Sequence, residues 1–203
     1  MENNDQKPIE ETEKNGEQKQ GALLAYLHDI AIGIAVVLLI FALAFRGVVV
    51  FGPSMNHTLT NGDYLIILNN TFYRNPKYGD IIVASKDTYK DGEPIIKRVI
   101  ATEGQEVDIN FENGIVYVDG VALNEPYTST PTNLYEGISF PLTVAENCVF
   151  VMGDNRNESK DSRSPQIGQI DCREILGRAI FIVLPGKDDA TDKRDFSRIG
   201  ALW

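Results

Sequence analysis

The sequence predicts a mainly β protein: an antiparallel β-sheet domain with a small β-rich insertion, preceded by one transmembrane helix. Three observations support this fold class. A long apolar run lies near the N-terminus, and short runs rich in β-branched residues follow it. Turn sequences such as Asn61-Gly62-Asp63 and Asn113-Gly114 separate these runs. After residue 46, no amphipathic pattern of useful helical length competes with the strands.

The N-terminal part divides into a polar tail and an apolar segment. Residues 1–21 offer almost nothing to bury, which predicts a disordered tail. Residues 22–45 are apolar except for His28 and Asp29, and at 1.5 Å per residue a helix of this length crosses a hydrocarbon core of about 30 Å. A buried helix and a cleavable signal peptide ending at Ala42-Leu43-Ala44 are the alternatives. The length of the tail and of the apolar run favours an uncleaved anchor.

The lysine and arginine residues that flank this segment predict its orientation. Lys7, Lys14 and Lys19 precede it, whereas only Arg46 follows closely. Positive charge is retained on the cytoplasmic side. We therefore expect a single-pass protein of the cell membrane with a cytoplasmic N-terminus and an extracytoplasmic domain over 46–203.

The predicted strands follow in order after Arg46. A less regular segment at about 105–146 is expected to form the β-rich insertion, between the strand of Lys97 and the loop at Gly153. The runs that predict strands are 48–51, 64–68, 80–84, 95–100, 115–118, 149–152 and 179–184.

Composition excludes several classes of function. The net charge of −10 and the pI of about 4.7 argue against a nucleic-acid partner. The chain has two histidines and neither HExxH nor CxxC, so we expect no metal site and no cofactor. Cys148 and Cys172 are too few for a disulfide scaffold, and the sequence leaves their pairing open.

Ser54 is a candidate nucleophile. It stands in the turn Gly52-Pro53-Ser54-Met55 after an apolar run, where its hydroxyl can be exposed and its own N–H can face a developing oxyanion. Gly52 allows the backbone of a substrate to approach closely. Taken alone, this sequence is also that of an ordinary turn.

Lys97 is the candidate base. A lysine with its ordinary pKa near 10.4 is protonated at neutral pH, but burial among apolar side chains disfavours the ammonium form. Lys97-Arg98 lies within an Ile/Val run over 95–100. The alternative is a solvated lysine on a strand.

A dense polar loop follows the strand at 149–152. It reads Gly153-Asp154-Asn155-Arg156 and then Ser159-Lys160-Asp161-Ser162-Arg163. Such density usually indicates a solvated turn. Here we interpret it as a set of groups that orient the catalytic side chains.

The order of these three motifs, over most of the chain from the anchor to about Leu184, resembles type I signal peptidases of the short bacterial form. The resemblance implies that Ser54 is the nucleophile and Lys97 its general base, with a hydrogen bond between Ser159 and the lysine. Four further residues would form supporting ion pairs: Asp154, Arg98, Asp161 and Arg163. Small pockets for substrate side chains would be lined by Val48, Val50, Met55, Leu59 and Ile96, beside Gly52.

This resemblance predicts a membrane-bound serine endopeptidase that removes N-terminal signal peptides from exported preproteins after small-x-small sites. Its expected partners are secretory preprotein signal peptides, membrane lipid and the secretion translocon. The sequence departs from the family at His57, where proline is usual.

Other readings compete with the Ser/Lys dyad. His57 lies close enough in sequence to Ser54 to suggest a Ser–His hydrolase. Self-cleaving transcriptional repressors share the dyad but need a DNA-binding domain, for which the N-terminus has no room. A membrane-tethered β-domain that binds peptides or supports a translocon without catalysis is the alternative of another class. A reagent that labels an activated serine separates that module from the enzyme.

Overall fold

The computed structural model describes residues 7–187 and 191–202. It contains one long helix, α1 (Lys7–Ala44), and twelve strands. In chain order the strands are β1 (Phe45–Val49), β2 (Tyr64–Asn69), β3 (Ile81–Ala84), β4 (Ile95–Thr102), β5 (Glu106–Asn110), β6 (Ile115–Val118), β7 (Val121–Ala122), β8 (Leu142–Thr143), β9 (Cys148–Met152), β10 (Ile170–Asp171), β11 (Ile175–Leu184) and β12 (Gly200–Ala201). Short 3₁₀ turns lie at Lys90–Gly92, Cys172–Glu174 and Phe196–Arg198.

Helix α1 begins earlier than the sequence predicted. Its first residue is Lys7, so residues 7–21 are helical in this structure. The remaining six residues of the predicted tail lie outside the described part. The tail is rich in Glu, Gln and Lys, which favour helix formation more than their polarity suggests. Low hydrophobicity predicts that the tail has no core, but it does not exclude a helix.

The C-terminal part of α1 has the length and composition of a membrane span. Within the described residues, one segment meets both criteria: Ala22–Ala44, with a mean hydropathy of 2.5. Its side chains are exposed almost throughout.

The domain from Ala44 onward contains two antiparallel sheets, which confirms the predicted fold class. The larger sheet has the strand order β1-β2-β11-β3-β4-β9-β10, and β12 pairs with β11. The smaller has the order β7-β6-β5-β8 and lies within the segment predicted as an insertion. Strands β3 and β4 bury side chains on both faces of the sheet, which explains their continuous rather than alternating apolar runs.

Pairing within the larger sheet places the candidate base at the centre of the domain. Lys97 lies opposite Ile82 on β3, and Arg98 lies opposite Met152 on β9. Strand β9 pairs with β4 only from Arg98 onward. The edge of β4 at Ile95–Lys97 that faces away from β3 is therefore not paired with any described strand.

Cys148 and Cys172 are unpaired and half-buried. Cys148 packs with the apolar cluster of the insertion, whereas Cys172 packs with the cluster beneath β3 and β10. Burial raises the pKa of both thiols.

The C-terminal segment after β11 is attached to the turn that follows Ser54. Arg198 forms a two-pronged ion pair with the fully buried Asp63, at 2.9 Å from Nη1 to Oδ1 and 2.7 Å from Nη2 to Oδ2, and Nη2 also donates to the Thr58 carbonyl. The N–H of Gly186 donates to Asp63 as well. Burial tends to raise the pKa of Asp63, but the bonds from Arg198, Gly186 and Thr60 outweigh it, so the pKa is lowered.

We expect Arg198→Ala to lower the free energy of unfolding by about 1–3 kcal/mol, because it leaves a buried carboxylate without its cation. An aspartate whose pKa is depressed in the folded state adds stability above its unfolded pKa of 3.8, and this is lost as the pH falls through the lower folded value. The variant should therefore lose less stability than the wild type between pH 7 and pH 3. Urea unfolding at the two pH values measures both effects. Lys187→Ala, which removes an ion pair between two exposed side chains, is the control and should change neither.

Candidate active site

The Ser54 hydroxyl and the Lys97 amine are in direct contact. Lys97 Nζ donates to Ser54 Oγ at 2.8 Å and to the Ile96 carbonyl at 2.9 Å. Lys97 is 5% exposed, and Ser54 is half-buried at the surface of the domain. Because 43 positions separate the two residues along the chain, the sequence alone could only suggest that they meet. The sheet places the buried end of β4 beside the turn that carries the serine.

The turn of Ser54 is held on both sides of the nucleophile. The Gly52 N–H donates to Asn61 Oδ1 at 3.1 Å, and Gly52 has a φ of +82°, which favours glycine. On the other side, the Asn155 N–H donates to the Ser54 carbonyl at 3.1 Å. The Ser54 N–H donates to no acceptor in the described part of the chain. It is therefore available to an oxyanion.

His57 does not take part in this arrangement. Its side chain is exposed, and the hydrogen bond to Ser54 Oγ comes from Lys97. The φ of His57 is +78°, a conformation that the ring of proline forbids. The turn of this chain thus differs in its backbone from one that has proline at this position.

A buried ion pair joins β4 to the loop over residues 153–163, which we call the catalytic loop. Arg98 Nε and Nη2 donate to the two carboxylate oxygens of Asp154 at 2.8 and 2.6 Å, and Arg98 Nη1 donates to the Gly79 carbonyl. Thr58 Oγ1 donates to Asp154 at 2.5 Å, and the Arg98 guanidinium lies 4.1 Å from the ring centroid of Tyr127. Asp154 therefore connects β4, the catalytic loop and the turn after Ser54.

A second buried pair fixes the catalytic loop internally. Arg163 Nε and Nη2 each donate to the Asp161 carboxylate at 2.8 Å, and the Gly153 N–H donates to the same group at 2.9 Å. Burial tends to raise the pKa of Asp161, but the bonds from Arg163 and Gly153 outweigh it and the pKa is lowered. Asp161 is thus held as a carboxylate within the loop.

Ser159 lies next to the carboxylate of the catalytic loop. Its side chain is buried beside Asp161, and its Oγ makes no well-oriented hydrogen bond to a described residue, so the bond to Lys97 that the resemblance implies stays a prediction. The hydroxyl lies behind Gly153: an ideal Cβ on Gly153 would meet Ser159 Oγ at 2.2 Å and the Ser54 carbonyl at 2.4 Å. The close packing of these three residues sets the distance between the loop and the nucleophile.

A cleft of about 730 Å³ opens at Ser54 and Lys97. Of the predicted pocket residues, Val48, Val50, Gly52, Met55 and Ile96 line it. The prediction for Leu59 was wrong, since this side chain is fully buried in the core cluster beneath the cleft and does not line it. The sequence prediction missed several lining residues on neighbouring loops, which are Tyr89, Glu93, Pro94, Glu158 and Lys160.

Comparison with known proteins gives a consistent result. Residues 23–184 match the family model described as signal peptidase, peptidase S26. A signal peptidase I of Bacillus licheniformis is 32% identical over 86% of this chain and 95% of its own length. The chain belongs to the signal peptidase family.

Further relatives extend this finding. A probable signal peptidase I-1 of Synechocystis is 40% identical over 65% of this chain and 67% of its own length. A crystal structure of a signal peptidase I from Enterococcus faecalis has 29% sequence identity and a TM-score of 0.42, covering 51% of this chain and 96% of that one. Membership confirms the predicted function: the protein is a serine endopeptidase that removes signal peptides from preproteins.

The sequence prediction gave no role to Arg156, although the residue belongs to a motif that the family carries. Arg156 is 1% exposed and forms a two-pronged pair with Glu125 of the insertion, at 2.8 and 2.5 Å, and it donates to Thr132 at 2.7 Å. Its position directly after Asp154-Asn155 was the available signal. The sequence contained no signal for Glu125, because its partner Arg156 lies 31 positions away.

Proposed function

We propose that Ser54 and Lys97 form the catalytic dyad of this signal peptidase. The distance of 2.8 Å between Lys97 Nζ and Ser54 Oγ is the observation that carries the proposal. A neutral amine at this distance can accept the hydroxyl proton as the serine attacks. Lys97 is only 5% exposed, and such burial disfavours its ammonium form. A general base must be neutral before it can accept a proton.

The reaction then proceeds in two steps. Ser54 Oγ attacks the carbonyl carbon of residue −1 while Lys97 takes its proton, and the oxyanion accepts a hydrogen bond from the Ser54 N–H. The Lys97 ammonium donates its proton to the leaving amine, which releases the mature protein and leaves an acyl-enzyme. Lys97, again neutral, removes a proton from water as its oxygen attacks the ester, and then returns that proton to Ser54 Oγ as the ester bond breaks, which frees Ser54 and the signal peptide.

The cleft has room for an extended substrate between two strand edges. Strand β1 is the last strand at one end of the larger sheet, and Val48 and Val49 line the cleft. Ile95–Lys97, the part of β4 before its pairing with β9 begins, lines the other side. An extended peptide pairs readily with such edges, so the backbone supplies affinity and alternate side chains enter pockets.

We further infer a membrane-bound arrangement with the domain outside the cytoplasm. The family match begins at residue 23 and so includes the apolar part of α1, and the lysines before that segment favour a cytoplasmic N-terminus. Phe51, at the rim of the cleft, is 85% exposed and suits contact with lipid. Protease added to intact cells should digest the domain if this orientation is correct, and should spare it if the orientation is reversed.

Cleavage of a preprotein with alanine at −1 and −3 tests the proposed function. The wild-type chain in detergent should cut after residue −1, as mass spectrometry of both products would show. Replacing the −1 alanine with leucine should slow cleavage by about 10- to 100-fold, because the extra atoms must enter a space walled by the buried Val50, Met55 and Ile96. A valine-to-leucine change at −6 is the control. Equal rates for alanine and leucine at −1 would contradict the assignment of the pockets.

A further inference from the structure

The insertion covers the catalytic loop. Between β7 and β8, the Ile138 N–H donates to the Arg163 carbonyl at 3.1 Å, and Arg163 Nη1 donates to the Leu134 carbonyl at 3.3 Å. The pair between Arg156 and Glu125 adds a second attachment. Both arginines of the loop therefore reach out of it and into the insertion.

Glu136 lies at this junction and has no role in the reaction as described above. Its side chain is 9% exposed, and its Oε1 lies 3.2 Å from Arg163 Nη2. Neither carboxylate oxygen has a well-oriented hydrogen bond from a described residue. Glu125 and Asp161 differ in this respect, because each is bound by two nitrogens of one guanidinium. A buried carboxylate without such bonds is costly to keep charged.

The Arg163 guanidinium connects Glu136 to the groups around the dyad. The same Nη2 that faces Glu136 donates to Asp161 and to the carbonyls of Arg156 and Ser159. Asp161 in turn holds the Gly153 N–H, next to Ser159 and the Ser54 carbonyl. A change in the charge of Glu136 therefore acts on Arg163 and, through Asp161, on the part of the catalytic loop that packs behind Ser54.

We propose that Glu136 is a positioning residue of the Ser/Lys dyad, whose carboxylate holds Arg163 in place and whose charge adjusts the proton affinity of Lys97. This inference rests on the proposed function of the dyad. It makes the insertion part of the catalytic apparatus rather than an accessory to it.

The charges around Glu136 define the sign of the effect. Burial and the neighbouring Asp161 raise the pKa of Glu136 from 4.5 to about 7, although Arg163, Lys160 and Lys97 act to lower it. These four are the charged groups that face it from the catalytic loop and from β4, and Glu125 on its own segment is paired with Arg156. Electrostatic attraction is reciprocal, so an ionised Glu136 favours the ammonium form of Lys97. Removal of its charge should make Lys97 easier to deprotonate.

The pH dependence of kcat/KM tests the proposal. In Glu136→Gln, the apparent pKa of the acid limb should shift downward by a few tenths of a unit to about one unit. Because Glu136, with a pKa of about 7, is mostly neutral at pH 6 and ionised at pH 8, kcat/KM of the variant should match the wild type at pH 6 and exceed it about 2- to 5-fold at pH 8. Glu112→Gln, an exposed change within the insertion, is the matched control and should leave the profile unchanged. A Glu136→Gln profile that coincides with the wild type, or that shifts upward, would overturn the proposal.

A second variant tests whether Glu136 holds Arg163 in place. Glu136→Ala removes both the charge and the side chain that faces Arg163, so kcat should fall about 5- to 20-fold at pH 8 with KM within about twofold. Glu136→Gln, which keeps the shape, should recover most of this loss. An alanine variant with the kcat of the wild type would contradict a positioning role.

Thermal unfolding gives a readout that does not depend on activity. A carboxyl whose folded pKa is raised contributes stability below its unfolded pKa of 4.5, and that contribution is lost as the pH rises through about 7. Relative to Glu136→Gln, the Tm of the wild type should therefore fall between pH 5 and pH 8. Absence of this difference would also overturn the inference, even if the alanine variant fails to fold.

The two proposals fail in different ways. A folded wild type that cuts no preprotein contradicts the proposed function, and the unfolding measurement still decides whether Glu136 titrates as inferred. A wild type that cuts normally, with the same pH profile and the same Tm difference as Glu136→Gln, contradicts this inference alone.

Discussion

Ser54→Ala should abolish cleavage of a preprotein, and Lys97→Ala should lower kcat/KM on the order of 10⁴-fold or more, since the two side chains act as one unit. The contact of 2.8 Å between them is the reason to expect comparable losses. Lys97→Arg is the sharper variant. It keeps a cation and hydrogen-bond donors but cannot give up its proton at working pH, so it should be as inactive as the alanine variant if lysine is a base.

His57→Ala is the control for this series. Its imidazole is exposed and the hydrogen bond to Ser54 Oγ comes from Lys97, so its loss should change kcat/KM by less than about twofold. A reagent that labels activated serines should modify the wild type and His57→Ala but neither Lys97 variant. Activity in Lys97→Ala together with loss in His57→Ala would reject the Ser/Lys dyad in favour of Ser–His chemistry. Near-UV circular dichroism of each variant establishes that it is folded.

Gly153→Ala should lower kcat by at least about 100-fold, although residue 153 touches no substrate. An added Cβ would lie 2.2 Å from Ser159 Oγ, 2.4 Å from Ser159 Cβ and 2.4 Å from the Ser54 carbonyl oxygen. Real Cβ atoms do not approach other atoms so closely, so the catalytic loop or the turn of Ser54 must move. A displacement near 1 Å is enough to lose about 100-fold in rate.

The size of this effect depends on where the glycine lies rather than on the substitution itself. Gly200→Ala in β12 is the matched control, because its Cβ would meet nothing within 4 Å and its φ is not positive. We expect this variant to keep the kcat of the wild type. Full activity in Gly153→Ala, measured by initial rates at saturating substrate, would show that the loop can yield at this point and would contradict a fixed spacing behind the nucleophile.

Local patterns were sufficient to predict much of the fold. The Ile/Val runs at 64–68, 95–100 and 149–152 became β2, β4 and β9 with boundaries shifted by at most two residues. These runs could be predicted because an apolar run indicates burial, and all three are largely buried in the sheet. Strand β5 was not predicted individually because its charged and amide residues alternate with only two buried side chains, Val107 and Ile109.

The candidate site could be predicted where the order of the motifs identified its residues. Ser54, Lys97, Asp154 and Arg163 were identified by residue type, spacing and family resemblance, and the structure brings all four into one region. The hydrogen bond expected between Ser159 and Lys97 could not be predicted in this way. Whether a hydroxyl reaches an amine depends on fractions of an ångström in the packing around Gly153.

The amino-acid sequence by itself determined the apolar helix, the β-rich domain, the residues proposed as nucleophile and base, and the family. Each of these depends on residue types and on spacings within a few positions or in fixed order. Only the tertiary structure decided which groups share a buried space: Leu59 beneath the cleft rather than lining it, Arg156 with Glu125, and Glu136 against Arg163. The physical reason is that electrostatic and packing energies depend on distances in space between residues whose separation along the chain carries no information about them.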